Sequence, residues 1–289
     1  MRAWMQLIRP SNVLTAVSDV LAGVALSCML LGSGLPVTEQ LVLVSLSSML
    51  FYMGGIVFND VFDAKLDQVE RPERPIPSGR IKKSAAALLG AFAFVLGCYL
   101  ACLINQEAFY IAIAIVFMCL LYNAFAKKHF IAGPIVMGMC RGLNLLLGMA
   151  VLSGGVVHWT LALVPIVYIA SVTNISRGEV YGDNKKAMLV SVFLYALVVS
   201  VLIYFVIKST HIVAVPFIAS FGFMIGKPLR EALKSLAPID IRKAVKSGVL
   251  ALILLNASWI AISGFWLLAI FVCLLLPLCM LLAKKYSVT

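Results

Sequence analysis

The sequence predicts an all-α fold, a polytopic transmembrane helical bundle, and three observations carry that expectation. The 289 residues are 63% hydrophobic and only 12% charged, with a mean hydropathy of +1.06, far from the roughly 45–50% apolar and 25% charged composition of soluble domains. Apolar runs close to the ~20 residues that cross a bilayer as helix recur along the whole chain. The breaks between them are short, polar and rich in basic side chains.

In chain order, the first run, residues 12 to 31, begins after Arg9-Pro10, where proline suits a first helical turn. The second, 40 to 60, passes directly into an acidic stretch. The third, 84 to 104, starts after Lys82-Lys83, and the polar pair Asn105-Gln106 divides it from the fourth, 107 to 125. The fifth, 131 to 151, carries Arg141 near its middle and ends before Ser153-Gly154-Gly155. The sixth, 159 to 178, ends at Arg177-Gly178, and the seventh, 188 to 207, lies between Lys185-Lys186 and Lys208. The eighth, 211 to 226, stops at Lys227-Pro228; the ninth and tenth, 244 to 263 and 265 to 283, meet at Gly264. Residues 1–289 therefore read as a single integral domain.

Of the 23 basic residues, all except Lys208 and Arg141 fall at the ends of the chain or in the even-numbered connections. By the positive-inside rule that side is the cytoplasm, and both ends of the chain lie there. The net charge of +11 is accounted for by this topology, so no nucleic-acid partner is expected. No small-residue cleavage site follows a short apolar stretch near Met1, so no removed signal peptide is expected. The seven cysteines all sit in apolar runs and read as small hydrophobes.

At the end of the second span Asn59, Asp60, Asp63 and Asp67 recur at offsets of three and four, which places them on one face of a continuing helix. Carboxylates so crowded repel one another unless a cation intervenes. Mg²⁺ takes oxygen ligands and commonly combines one or two carboxylates with water and substrate phosphate oxygens, so the face suits a metal-bound diphosphate. Immediately after it, in Arg71-Pro72-Glu73-Arg74-Pro75-Ile76-Pro77-Ser78-Gly79-Arg80, prolines stop the helix and arginines can grip phosphate oxygens. A solvated loop touching anionic lipid would also be basic, but it would not need the acidic stripe.

A second acidic pair, Glu179 and Asp183, one helical turn apart, ends the sixth span on the same side of the membrane. Alone it could equally be an ordinary helix end; its placement, at the second helix of a second four-helix unit, pairs it with the first. The unit openings also share a pattern, Arg9-Pro10-Ser11-Asn12 and Arg141-Gly142-Leu143-Asn144, so two pseudo-related four-helix units are expected. A guanidinium inside the membrane must face a polar cavity or an acid such as Asp19, so Arg141, with Asn144 on the same face, either lines a site or bolts two helices together. Tyr122 suits a cavity wall or an interfacial anchor.

The stretch Asn59 to Asp67, with Arg74-Pro75-Ile76-Pro77-Ser78-Gly79-Arg80, resembles the N-D-x-x-D-x-x-x-D and R-P-x-x-x-G motifs of the UbiA superfamily of intramembrane prenyltransferases. Tyr122 with Lys127 and Lys128, and Gly182-Asp183, extend the likeness over most of the chain. Ser176 departs from it, standing where the family offers an aspartate, while Glu179 stands for another. The resemblance implies Mg²⁺ held by Asp60, Asp63 and Asp67 on one side and Glu179 and Asp183 on the other. It implies a prenyl diphosphate whose leaving group is met by Lys127, Arg71, Arg74 and Lys185, with Asn12, Asn59, Tyr122, Arg141 and Asn144 lining the substrate cavity. A small hydrophobic acceptor, aromatic or lipid-like, would take the prenyl group, among membrane lipids. Ser176-Arg177-Gly178-Glu179 and Cys140 to Asn144 are similar to the branch called EboC-like, and a bacterial inner membrane is the expected location. The family's nine core spans make 265–283 an addition, expected to lie outside the catalytic bundle. The alternative is a carrier or transporter that kept the fold without the chemistry. Phosphatidyl-type alcohol transferases, which also use membrane aspartates, are disfavoured because their D-G-x-x-A-R opening is absent.

Overall fold

A helix of twenty-odd apolar residues satisfies its own backbone within the bilayer, and the computed structural model, which describes residues 2–179, 182 and 185–286, builds the chain in this way. A short α1 (Arg2–Ile8) leads into α2 (Pro10–Leu31), α3 (Thr38–Glu70), α4 (Lys83–Ile104) and α5 (Gln106–Ala124). A second set follows: α6 (Ala132–Met149), α7 (Leu163–Ser176), α8 (Lys185–Ser209) and α9 (Val215–Ser235); then come α10 (Pro238–Ile262), α11 (Trp266–Cys273) and α12 (Leu275–Tyr286). Among the described residues ten helices are long and apolar enough to cross a membrane, counting the 3₁₀ turn Gly155–Ala162 with α7, and α11 with α12. The protein is an integral, multi-pass membrane protein.

The neighbour order repeats: α2, α3, α4 and α5 pack successively, and so do α6, α7, α8 and α9. Arg9 lies at the opening of α2 and Arg141 halfway along α6, so the shared Arg-Asn pattern sits at two different depths. The two sets meet where α2 crosses α6, and glycine makes that approach possible. A Cβ on Gly23 would lie 2.1 Å from the Leu145 carbonyl oxygen, and one on Gly148 2.1 Å from that of Val20. Close backbone contact of this kind supplies dispersion between helices in a solvent as apolar as their side chains. α10 completes the centre against α2, α7 and α9, with every residue from Leu250 to Ile262 buried.

Two elements depart from the sequence reading. The connection 227–246 is largely helical: α9 continues through Pro228 to Ser235 and α10 begins at Pro238. Proline at 228 leaves the Met224 carbonyl without its i+4 donor; Ser247 Oγ donates to that oxygen at 2.6 Å and closes the gap. The tenth span does not stay outside. α12 packs on α2, Cys279 is fully buried, and Ala283 and Tyr286 reach the mouth described below.

Candidate active site

Thirty-three residues of α-helix make α3 about 50 Å long, longer than the ~30 Å hydrocarbon core. Its last turns therefore carry Asn59, Asp60, Asp63 and Asp67 to a mouth on the basic side of the bundle. Pro72, Pro75 and Pro77 end the helix there, and Ile76 and Ile81 bury against Leu7, Val57, Val61 and Ala64, folding the loop back along α3. This return places Arg74 beside the acids that precede it.

Each aspartate is met by a cation. Arg74 Nη1 donates to Asp67 Oδ2 at 2.7 Å and to Asp60 Oδ1 at 3.4 Å. Arg9 Nη2 donates to Asp60 Oδ1 at 2.6 Å. Arg9 holds a left-handed backbone conformation, φ 51°, at the α1–α2 turn, a conformation rarely kept without surrounding constraint. Lys127 Nζ, in the 3₁₀ turn after α5, donates to Asp63 Oδ1 at 2.5 Å. Asp60 and Asp67 are almost wholly buried, whereas the Asp63 side chain keeps 21% exposure. The donor chemistry fits Mg²⁺, which takes hard oxygens. Among the described residues no three metal-ligating side chains converge as a ready cluster, so the cations now on these carboxylates would have to yield.

Glu179 lies in the turn after α7, within electrostatic reach of Arg71 and Arg242. Its carboxyl is pushed above the usual range by burial, against the pull of Arg71 and Arg242, and its carbonyl accepts from Arg242 Nε at 3.1 Å. Arg71 thus links the second acidic turn to the loop that follows the first. Gly182, φ 73°, runs against the α9–α10 turn, where a Cβ would lie 2.7 Å from the Leu236 carbonyl oxygen. Asp183 lies outside the described residues. Lys185, expected to meet the diphosphate, is exposed at the start of α8 and lines neither cavity.

Inside the mouth lies a cavity of about 200 Å³ among α2, α3, α5 and α6. Asn12, Asn59, Tyr122, Arg141 and Asn144, all anticipated, line it. Asn59 Nδ2 donates to Asn123 Oδ1 at 3.1 Å, and Asn123 Nδ2 to the Gly55 carbonyl at 3.1 Å. Arg141 Nη1 donates to Asp19 Oδ2 at 2.6 Å and Nη2 to Thr15 Oγ1 at 2.9 Å, while its guanidinium lies 4.3 Å above the Tyr52 ring centroid. Asn144 and Asn256 also donate to Asp19, at 3.0 and 2.7 Å. Arg141 is therefore both a helix bolt and a cavity wall. Tyr52, Asn123 and Asn256 escaped the sequence reading. Each is a lone polar group in an apolar span, a signal that marks cavities in membranes but does not say which one.

A second cavity, about 390 Å³, opens on the other side of Arg9 and Asn12, which line both. Its wall includes Asp60, Arg74, Lys246 from α10 and Tyr286 from α12.

A model of the UbiA prenyltransferase family matches residues 20–289. Among curated proteins, a digeranylgeranylglyceryl phosphate synthase of Methanothrix thermoacetophila is 37% identical over 50% of this chain and 52% of its own. That of Sulfurisphaera tokodaii is 32% identical over 58% and 59%, and that of Thermococcus gammatolerans 33% identical over 64% and 66%. The matched stretch thus spans between half and two thirds of these relatives' length. They are archaeal proteins, and the expected bacterial inner membrane finds no support in them. Among solved structures, the fold is shared with a UbiA homologue from Aeropyrum pernix K1 in its apo form. That structure has a TM-score of 0.69 and 15% identity, covering 86% of this chain and 96% of that one. A UbiA homologue from Archaeoglobus fulgidus bound to GPP and Mg²⁺ has a TM-score of 0.64 and 16% identity, covering 91% and 99%.

Proposed function

The chain belongs to the UbiA prenyltransferase family, and from that premise we propose that it transfers a prenyl group from an allylic prenyl diphosphate to a hydroxyl of a glycerophosphate-type lipid, releasing diphosphate. One observation carries this reading: a row of three carboxylates on α3, each held by a basic side chain, at the mouth of an intramembrane cavity. The product for which the curated relatives are named carries two geranylgeranyl groups on glyceryl phosphate; the acceptor in our reading is the same molecule with one.

Asp60, Asp63 and Asp67, with Glu179 and Asp183, would hold Mg²⁺, which when bound neutralises the diphosphate and makes it a better leaving group. With Mg²⁺ on those carboxylates, Arg9, Arg74 and Lys127 would be free to donate to diphosphate oxygens. Arg71, beside Glu179, adds a further cation. The cavity under Asn59 and Tyr122 takes the first units of the prenyl chain and keeps water from the allylic carbon. The acceptor oxygen bonds to C1 as the C1–O bond to diphosphate breaks; the hydroxyl proton ends on the released diphosphate. We place this mouth in the cytoplasm, from the distribution of basic residues.

The test is binding of a prenyl thiodiphosphate, a non-departing donor, to purified protein with Mg²⁺ and with a chelator. Binding should require the metal, and equal affinity in both would contradict the reading. Diphosphate release on addition of the acceptor separates an enzyme from a carrier, which would bind the donor and leave it intact.

A further inference from the structure

The second cavity shares Asp60, Arg9 and Arg74 with the donor group but extends to Lys246 and Tyr286, which the donor reading does not use, and the apolar cavity lies beyond the Arg9–Asn12 partition. At about 390 Å³ it falls within the ~300–1,000 Å³ range of small-ligand sites. Its polar lining comes from separate parts of the chain: three cations, Arg9 of the α1–α2 turn, Arg74 of the loop after α3 and Lys246 of α10, one carboxylate, Asp60 of α3, and the phenol of Tyr286 on α12. Arg9 commits only Nη2, and Arg74 only Nη1, to carboxylates among the described residues. The remaining donors of both guanidiniums, and the ammonium of Lys246, which forms no ion pair among those residues, are available to an anion.

Resting on the reaction proposed above, we infer that this cavity binds the phosphomonoester head of the acceptor lipid, with α12 as one wall of the site. Two guanidinium forks and an ammonium are what a phosphate dianion recruits, and a neutral or zwitterionic head has less use for them. The geometry also puts the nucleophile in place. In a glyceryl phosphate the free hydroxyl stands only a few bonds from phosphorus. With the phosphate among Arg74, Lys246 and Tyr286, that hydroxyl reaches the wall formed by Arg9 and Asn12, on whose other side the prenyl chain lies. The acceptor's own chain is left to run outward along α12, where Met280 and Leu281 are exposed.

The same phosphate chemistry could come from bulk anionic lipid or free phosphate, and the experiment separates these. In nanodiscs of zwitterionic lipid, steady-state kinetics are measured for the wild type, Lys246→Gln and Tyr286→Phe, with geranylgeranylglyceryl phosphate and with the same lipid lacking its phosphate. Both positions are at least partly solvent-accessible, so folding should survive. Lys246→Gln should raise KM for the phosphorylated acceptor about tenfold, the loss expected for one charge-assisted hydrogen bond. Tyr286→Phe should raise it less. KM for the prenyl diphosphate, kcat, and kinetics with the dephosphorylated acceptor should not change. A rise in the donor's KM instead, or equal effects on both acceptors, would overturn the inference. So would a Lys246-dependent loss of acceptor binding on adding phosphatidylglycerol, which would assign the cavity to bulk lipid, or competition by inorganic phosphate that survives Lys246→Gln. Thermal-shift binding of the phosphorylated acceptor without donor distinguishes the two readings. Lys246-dependent binding without any product sinks the reaction and keeps the site; product with Lys246-independent binding does the reverse.

Discussion

Replacing Asp19 by Ala should be among the most damaging single changes in the protein, although Asp19 lines neither cavity. Its carboxylate accepts from Arg141 and Asn144 of α6 and from Asn256 of α10, so three helices meet on one side chain. Removing it strands a buried guanidinium, a loss of roughly 3–5 kcal/mol for a broken buried pair. Asn144 and Asn256 keep other acceptors, the Ala16 carbonyl and Ser18 Oγ, and Thr15 and the Tyr52 face still engage Arg141; the total should stay near about 4 kcal/mol. Asp19→Asn, which keeps an acceptor and loses the charge, should cost about half of that. The informative variant is Asp19→Ala with Arg141→Met. Without a stranded charge most of the stability should return, because replacing both partners by apolar groups is often close to neutral. Prenyl transfer should not return, because Arg141 also walls the cavity. Reversible unfolding in mixed detergent micelles measures the first quantity and product formation the second. Equal stability of Asp19→Ala and the double variant would refute the stranded-charge reasoning. Restored activity in the double variant would make Arg141 a bolt and nothing more.

Asp63→Ala should abolish Mg²⁺-dependent diphosphate release while the protein remains folded, since Asp63 and Lys127 both keep contact with solvent; turnover retained by the purified variant would remove Asp63 from the metal site. Gly148→Ala should separate α2 from α6 and lower the unfolding temperature sharply, whereas Gly222→Ala, with nothing within 4 Å of the added Cβ, should be neutral or stabilise by about 0.5–1 kcal/mol; comparable melting temperatures for the two variants would contradict the packing argument. Ser247→Ala should cost about 1 kcal/mol by orphaning the Met224 carbonyl. That cost should vanish in a Pro228→Ala background, where residue 228 regains its N–H; an equal loss in both backgrounds would refute it.

The spans were legible because the bilayer leaves the chain few options: a run of apolar residues must be helix, and basic residues mark its ends. The predicted runs and the observed helices differ mainly at termini, as with α3, which continues ten residues beyond position 60. The Arg141–Asp19 pair was legible for a related reason, since an intramembrane charge needs a partner and candidates are few. What could not be read was which apolar face meets protein and which meets lipid. The last span, α11 with α12, illustrates this: its composition suggests a peripheral helix, and only 17% of its most apolar stretch is buried, yet Cys279 and Tyr286 carry α12 to α2 and the mouth. Nor does spacing announce that Arg74 would return to the aspartates before it, because that depends on Ile76 and Ile81 finding the groove beside α3. The EboC-like placement rested on two short runs; the curated relatives named above are archaeal lipid synthases.

Asp19 also bears on how the protein is made. Its partners Arg141 and Asn256 lie 122 and 237 residues later in the chain. At ~5–20 residues per second the ribosome takes on the order of ten seconds to produce the first and up to about a minute to produce the second. During that interval the first span must enter or wait beside the membrane with its carboxylate unmatched. Insertion of α2 should therefore lean on the translocation machinery or a holding factor for longer than its apolar content suggests.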